Sequence, residues 1–154
     1  AHMVAAMSRG KKAYLQYEAQ LSEAIGRLAT LREELKAAID ADAESYNVVM
    51  KAYRAARETD DGGVGVNKAL RQATSVPLGV AERAAEVARI AHALRPITNP
   101  NMASDLTTGV ALAGAAVTGA LSNVEINLGS MKAGIPEDDA FVSETRARVS
   151  KLNK

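Results

Sequence analysis

The sequence predicts an all-α fold. Apolar residues recur at spacings of three and four, the period of one helix face, and no segment has the alternation of a half-buried strand. Between Lys11 and Arg57 there is no proline and one glycine, which predicts one very long helix. The chain has 154 residues and 47% hydrophobic content, enough for a single domain over residues 1–154 with its own core. We expect an elongated antiparallel helical bundle.

The remaining elements follow from local signals along the chain. Gly10 ends a first apolar segment, Pro77 suits the first turn of a helix, and Arg95-Pro96 stops that helix at about Leu94. The predicted elements are the last turns of a helix at 1–6, the long helix at 11–57, a glycine-rich loop at 59–65, a short helix at 67–73, helices at 77–94 and 105–131, and a final helix from 137. Ser104 or Asn101 can cap the helix at 105, where Asp105 suits the positive end of the macrodipole.

Residues 106–121 form the most apolar stretch. They include threonine and glycine and are shorter than the ~20 residues of a membrane span, so we interpret them as a buried helix. The many small residues of this helix predict that it or its neighbours are buried in a homodimer. Asn123 and Asn127 share a face of the same helix, which predicts either a helix–helix clamp or part of a ligand cleft.

The composition argues against several classes of protein. A formal net charge of +1 and five aromatic residues give no electrostatic or stacking surface for nucleic acid, and no charge that favours a membrane surface. The absence of cysteine excludes disulfides and thiol nucleophiles and fits the cytoplasm. The two histidines are too isolated for a metal site or a hydrolase triad, so we expect no metal.

Asp42 stands out because it falls on an apolar helix face. Leu35, Ile39, Tyr46, Val49 and Tyr53 define that face by their spacing, and we expect Asp42 to point inward with them. Asp40, two positions earlier, falls on roughly the opposite side, where water solvates it. A desolvated carboxylate is costly and persists mainly when it is paired or used. The alternative is an acid that lines a solvated groove or accepts hydrogen bonds at a helix interface.

Five blocks of sequence resemble the cyclodeaminase/cyclohydrolase family, which comprises the cyclodeaminase domain of formimidoyltransferase-cyclodeaminase and the standalone methenyltetrahydrofolate cyclohydrolases. The blocks occur in the family's order and cover essentially the whole chain. They are Gly10-Lys11-Lys12-Ala13-Tyr14, residues 39–46 (IDADAESY) with 49–53 (VMKAY), residues 73–78 (ATSVPL), residues 99–105 (NPNMASD) and residues 120–128 (ALSNVEINL).

The resemblance implies an all-helical homodimer that acts on a one-carbon derivative of tetrahydrofolate. It implies hydrolysis of 5,10-methenyltetrahydrofolate or deamination and cyclisation of 5-formiminotetrahydrofolate, with Asp42 as the catalytic acid and no cofactor beyond the folate substrate. Under this reading Lys11 and Lys12 meet the glutamate tail of the folate. The candidates for the pterin or the dimer-interface cleft are Asn101, Ser104, Asp105 and Asn123.

Two departures from the family pattern keep alternatives open. Family members carry a helix and a Pro-Gly-Gly-Gly loop ahead of the first block, and the sequence as given begins after them, with residues 1–3 either native or a tag remnant. Glycines also replace a charged, helix-prone segment at 59–66. If the upstream loop closes the folate pocket, this chain is expected to be a catalytically silent helical scaffold or folate-binding module. A coiled-coil adaptor is a third reading, disfavoured because Asp42 interrupts the apolar seam.

Overall fold

The computed structural model of the chain describes residues 1–58 and 63–152, and the regular elements within those ranges are all helical. The α-helices are α1 (His2–Ser8), α2 (Glu18–Ala55), α3 (Val64–Leu94), α4 (Ala103–Gly129) and α5 (Pro136–Leu152). Short 3₁₀ turns occupy Lys12–Tyr17, Arg95–Ile97 and Pro100–Met102. The all-α prediction is therefore confirmed for the described ranges, while residues 59–62 of the predicted loop lie outside them.

The helices form two compact units, unit 1 from residues 1–36 and 83–117 and unit 2 from the described part of 37–82 and 118–154. The core of unit 1 joins α1 to parts of α2, α3 and α4, because each contributes an apolar stripe to it. Its buried residues are Val4, Ala5, Leu21, Leu28, Leu31, Ile90, Ala91, Leu94 and Leu106. Gly10 follows α1 with φ of 73°, a left-handed conformation that glycine adopts without strain. The prediction that Gly10 ends the first apolar segment is confirmed, because α1 ends at Ser8.

The prediction of two separate helices around Pro77 is wrong. Residues 64–94 form the single helix α3, with Pro77 inside it. A proline within a helix removes one backbone hydrogen bond and disfavours the helix by about 3 kcal/mol relative to alanine. The Thr74 hydroxyl donates to the Leu70 carbonyl at 2.7 Å one turn earlier, so a side chain adds a local bond near the gap. Burial of the flanking residues offsets the proline penalty, and these are Ala73, Leu78 and Ala81.

In unit 2, a polar cluster centred on the buried residues Asn67 and Asp138 joins α3 to the start of α5. The Asn67 amide nitrogen donates to Asp138 Oδ2 at 2.7 Å and to the Lys132 carbonyl at 2.8 Å. The Lys132 backbone N–H donates to Asn67 Oδ1 at 2.8 Å. Arg71 completes the cluster with ion pairs to Glu137 at 2.6 Å and to Asp138 at 3.2 Å. Three described residues of α5 are buried, namely Asp138, Thr145 and Val149, so polar contacts supply much of its attachment.

The helix α4 is mostly exposed in the single chain, and the prediction of a buried helix at this position is wrong. Within the described residues, the segment Pro100–Gly129 is long and apolar enough to cross a membrane by length and composition, with a mean hydropathy of 1.3, and 22% of its most apolar window is buried. Leu112 is 67% exposed and Ile126 is 64% exposed. The helix buries one narrow stripe that includes Leu106, Leu121, Val124 and Leu128, and leaves its other apolar side chains outside the core.

Candidate active site

Asp42 lies on an exposed apolar face in the second half of α2. Its neighbours on that face are also exposed, with Ile39 at 70%, Tyr46 at 63% and Tyr53 at 39%. The prediction that Asp42 points into the interior of its own chain is therefore wrong, although its place on the apolar face was assigned correctly. In unit 2 the buried position of this helix segment is instead Ser45, whose hydroxyl donates to the Asp42 carbonyl at 2.8 Å. Asp40 is exposed as well.

The exposed face sets a distinctive environment for the Asp42 carboxylate. Within residues 1–58 and 63–152 this carboxylate has no ion pair and no side-chain hydrogen bond, so only solvent surrounds it in the single chain. Tyr46 follows it by four positions and Ile39 precedes it by three, which places both beside it on the helix surface. Large exposed apolar residues arranged in one patch mark a binding or association surface. An unpaired acid within such a patch is therefore a candidate for a site that a second molecule closes.

In unit 1, the end of α1 contacts the start of the block at residues 99–105. The Asn99 backbone N–H donates to Ser8 Oγ at 3.2 Å, which brings the segment that carries Lys11 and Lys12 next to the turn before α4. The exposed residues Asn101, Ser104 and Asp105 belong to that turn and to the first turn of α4. The Asn99 side chain accepts the Asn101 N–H at 3.0 Å, so Asn99 caps the 3₁₀ turn Pro100–Met102. The helix α4 begins at Ala103, so Ser104 lies inside its first turn and not at the predicted cap position.

Asn123 lies in unit 2, in the second half of α4. Its amide nitrogen donates to the Gly119 carbonyl of the same helix at 3.3 Å, and its side chain is exposed. The single chain therefore gives no support to Asn123 as a helix–helix clamp. The open alternative, a lining residue of a ligand cleft, stays a prediction.

Unit 1 also contains a groove of about 680 Å³ between α2 and α3 that sequence reasoning missed. Arg27 on α2 donates two hydrogen bonds to the Glu86 carboxylate on α3, with Nε at 2.7 Å and Nη2 at 2.6 Å. Glu34 accepts a bond from Arg83 at 2.7 Å and lies 3.5 Å from Arg27. The charges recur at helical spacing in both segments, but nothing in one sequence indicates which acid on one helix meets which base on the other.

The ion pair of this groove shifts the titration of both partners. The hydrogen bonds from Arg27 hold the pKa of Glu86 below its ordinary value, because they stabilise the charged form, while partial burial opposes that effect. The hydrogen bonds to Glu86 raise the pKa of Arg27 for the same reason. Both side chains are thus charged at neutral pH. Among the residues that the structure describes, no group of three or more His, Cys, Asp or Glu side chains is arranged to hold a metal ion.

Fold and site together define an all-helical protein with an isolated carboxylate on an exposed apolar helix face. Residues 1–151 match the family model described as formiminotransferase-cyclodeaminase. The chain belongs to this family. It is 32% identical over 146 residues to the methenyltetrahydrofolate cyclohydrolase of Methylorubrum extorquens, covering 92% of this chain and 68% of that protein.

Two further relatives agree with this assignment. The formimidoyltransferase-cyclodeaminase of Sus scrofa is 30% identical over 156 residues, which covers 99% of this chain and 28% of that protein. The crystal structure of formiminotetrahydrofolate cyclodeaminase from Thermotoga maritima superposes with a TM-score of 0.78 at 28% identity. That match covers 98% of this chain and 78% of the Thermotoga chain. The chain thus spans just over a quarter of the length of the pig protein and about two thirds of the Methylorubrum cyclohydrolase.

Proposed function

We propose that this chain is an enzyme domain of folate one-carbon metabolism, with Asp42 as its catalytic acid. The reaction is hydrolysis of 5,10-methenyltetrahydrofolate or deamination and cyclisation of 5-formiminotetrahydrofolate. Membership of the family and the names of the relatives support the substrate class. The observation that carries the assignment of Asp42 is its unpaired carboxylate within the exposed apolar face of α2.

The chemistry of the substrate suits a lone carboxylate. The methenyl carbon belongs to a cationic amidinium, so a fixed anion attracts the substrate and orients a water molecule toward that carbon. The water oxygen bonds to the carbon while one of its protons passes to Asp42. Asp42 returns that proton to the ring nitrogen as the carbon–nitrogen bond breaks, and the second proton of the water leaves to solvent as the formyl carbonyl forms. In the cyclodeaminase reaction, the neighbouring folate nitrogen attacks the formimino carbon and gives up its proton to Asp42. Asp42 passes that proton to the amino group, which leaves as ammonia when its bond to carbon breaks.

We propose that the active form is a homodimer in which a second copy covers the exposed faces of α2 and α4. Large exposed apolar residues on these helices include Ile39, Tyr46, Leu112 and Ile126. A cytoplasmic enzyme gains free energy by burying such residues against a partner. Burial in the dimer would remove water from around Asp42 and strengthen its attraction for a cationic substrate. The exposed α4 is then an interface helix and not a membrane span.

The remaining site residues keep the roles that the resemblance implies. Lys11 and Lys12 are exposed cations beside the turn at Asn99, where the glutamate tail of a folate would find positive charge. Asn101, Ser104, Asp105 and Asn123 are exposed polar side chains that can bind the pterin or line the dimer cleft. No cofactor beyond the tetrahydrofolate substrate is needed for either reaction.

A steady-state assay of 5,10-methenyltetrahydrofolate and 5-formiminotetrahydrofolate tests this function. Asp42→Asn keeps the size of the side chain and removes the proton acceptor, so we expect kcat to fall at least about 100-fold. Asp40→Asn is the matched control, because it removes an equally exposed charge two positions away, and it should keep kcat within about twofold. Equal activity of parent and Asp42→Asn would refute the assignment. Background rates for every variant on both substrates would favour a silent scaffold.

A further inference from the structure

Tyr46 is an aromatic residue that unit 2 leaves outside its core. It is 63% exposed, and within the described part of the chain its hydroxyl forms no hydrogen bond. A tyrosine that serves a core buries its ring and bonds its hydroxyl to a neighbour. Neither holds for Tyr46, so its ring is a surface that a second molecule can contact.

The helix places Tyr46 beside the Asp42 carboxylate. Residues four apart are neighbours on a helix surface, with Cβ atoms about 5–6 Å apart. Long helical side chains lean toward the preceding turn, which directs the ring of Tyr46 toward Asp42. The other positions three or four away from Asp42 are Ala38, Ile39 and Ser45, none of which is charged or aromatic. Among these neighbours on α2, Tyr46 alone has an aromatic face.

A carboxylate and an aromatic face attract the same kind of group. The carboxylate attracts a cation by its charge, and the negative face of a tyrosine ring attracts a cation within about 6 Å of its centre. A flat, delocalised cation can meet both at once, because its plane covers the ring while its edge faces the acid. A neutral group of the same shape loses both attractions.

We infer that Tyr46 is a specificity-determining residue that, together with Asp42, selects a flat amidinium cation over a neutral group of similar shape. That this cation belongs to a folate rests on the proposed function. The methenyl group is a cyclic amidinium, and a formimino group becomes an amidinium when it is protonated. The formyl product of hydrolysis is neutral at the same carbon, so it loses both contacts and is released.

Two stable probes of similar shape test this selection without turnover. The cation is 1-methyl-3-phenylimidazolium, which carries a planar N–C–N cation in a five-membered ring, and the neutral probe is 1-methyl-3-phenylimidazol-2-one. Each is titrated into the full chain with labelled tyrosine rings, and the ring resonances are followed by NMR. We expect saturable shifts at Tyr46 and none at Tyr17, which packs against the core of unit 1.

The ratio of the two affinities is the decisive quantity. We expect the cation to bind the parent chain about fivefold more tightly than the neutral probe. The absence of a saturable shift at Tyr46 with the cation would overturn the inference, and so would equal affinity for the two probes.

Three variants separate the aromatic ring from its hydroxyl and from general packing. Tyr46→Leu removes the ring, so we expect the preference for the cation to fall about threefold, whereas Tyr46→Phe keeps the ring and should keep the preference. Tyr53→Leu is the matched control, because Tyr53 is exposed on the same face about 16 Å further along α2, and it should leave the preference unchanged.

A purely structural role for Tyr46 predicts a different result. Loss of packing weakens both probes equally, so an unchanged affinity ratio in Tyr46→Leu would refute the inference. A preference that falls as far in Tyr46→Phe as in Tyr46→Leu would also refute it, because the hydroxyl and not the ring would then be responsible.

Turnover assays distinguish this inference from the proposed function. In an active chain, Tyr46→Leu should raise KM for 5,10-methenyltetrahydrofolate about threefold while kcat changes less. A chain that turns over neither folate, but whose cation preference depends on Tyr46, would refute the proposed function and support the inference. An active chain whose preference is the same in the parent and in Tyr46→Leu would do the reverse.

Discussion

The Asn67 amide nitrogen lies 2.7 Å from a carboxylate oxygen of Asp138, and both residues are buried. The same side-chain amide also donates to the backbone carbonyl of Lys132 and accepts from the backbone N–H of Lys132. The Asn67 side chain therefore forms hydrogen bonds both with the segment between α4 and α5 and with the first turn of α5. Buried polar groups that lose their partners are costly, so this residue has a large effect on unit 2.

We expect Asn67→Ala to lower the free energy of unfolding by about 2–4 kcal/mol, because several buried groups lose their hydrogen bonds at once. Urea unfolding followed by circular dichroism measures the change. Asn47→Ala is the control, since Asn47 is exposed on α2, and it should change stability by less than about 0.5 kcal/mol. Similar stability of the two variants would show that the cluster contributes little.

The Arg27–Glu86 pair makes stability depend on acid pH. Because the folded-state pKa of Glu86 lies below its ordinary value of 4.5, the pair contributes fully above that value and is lost as the pH falls through the folded-state pKa. We expect Glu86→Gln to lower Tm at pH 7 by about 2–3 °C, a modest value because the pair is partly exposed. The difference from the parent should shrink as the pH falls below 4.5. A difference in Tm that stays constant from pH 7 to pH 3 would contradict the assignment.

Replacement by alanine should change the free energy of unfolding in opposite directions at two glycines. Gly10 has φ of 73°, so Gly10→Ala forces a side chain into the left-handed region and should destabilise by about 1–2 kcal/mol. Gly26 lies inside α2, and a Cβ there meets nothing within 4 Å, so Gly26→Ala should stabilise by about 0.5–1 kcal/mol. Thermal unfolding of both variants checks the pair, and equal signs would be inconsistent with these backbone conformations.

A charge placed on the exposed face of α2 should disrupt the proposed homodimer. Ile39 is 70% exposed in the single chain, and Ile39→Asp would bury an unpaired carboxylate if a second copy covers it. We expect the dimer dissociation constant to rise at least about 100-fold, measured by sedimentation equilibrium. Ser143→Asp, on the exposed surface of α5, is the control. A parent chain that sediments as a folded monomer at micromolar concentration would contradict the proposed dimer.

The sequence by itself determined the helical class and most helix ends. Helical periodicity, the glycine at position 10 and the proline at position 96 act within a few residues, so local rules were sufficient for them. The role of Pro77 as a helix start was predicted wrongly. The free-energy cost of a proline inside a helix is a local effect, whereas the burial of Leu78 and Ala81 that offsets this cost depends on tertiary packing. The five blocks of resemblance lie in the sequence itself and indicate the family without reference to the tertiary structure.

Only the tertiary structure decided which apolar faces the chain buries within itself. Periodicity placed Asp42, Ile39 and Tyr46 on one face of α2, but an apolar face has the same pattern whether it packs against its own chain or stays exposed for a partner. Packing gave the buried position to Ser45 and left Asp42 outside. The pairing of Arg27 with Glu86 likewise depends on the tertiary structure, because residues 59 positions apart meet only when two helices pack side by side.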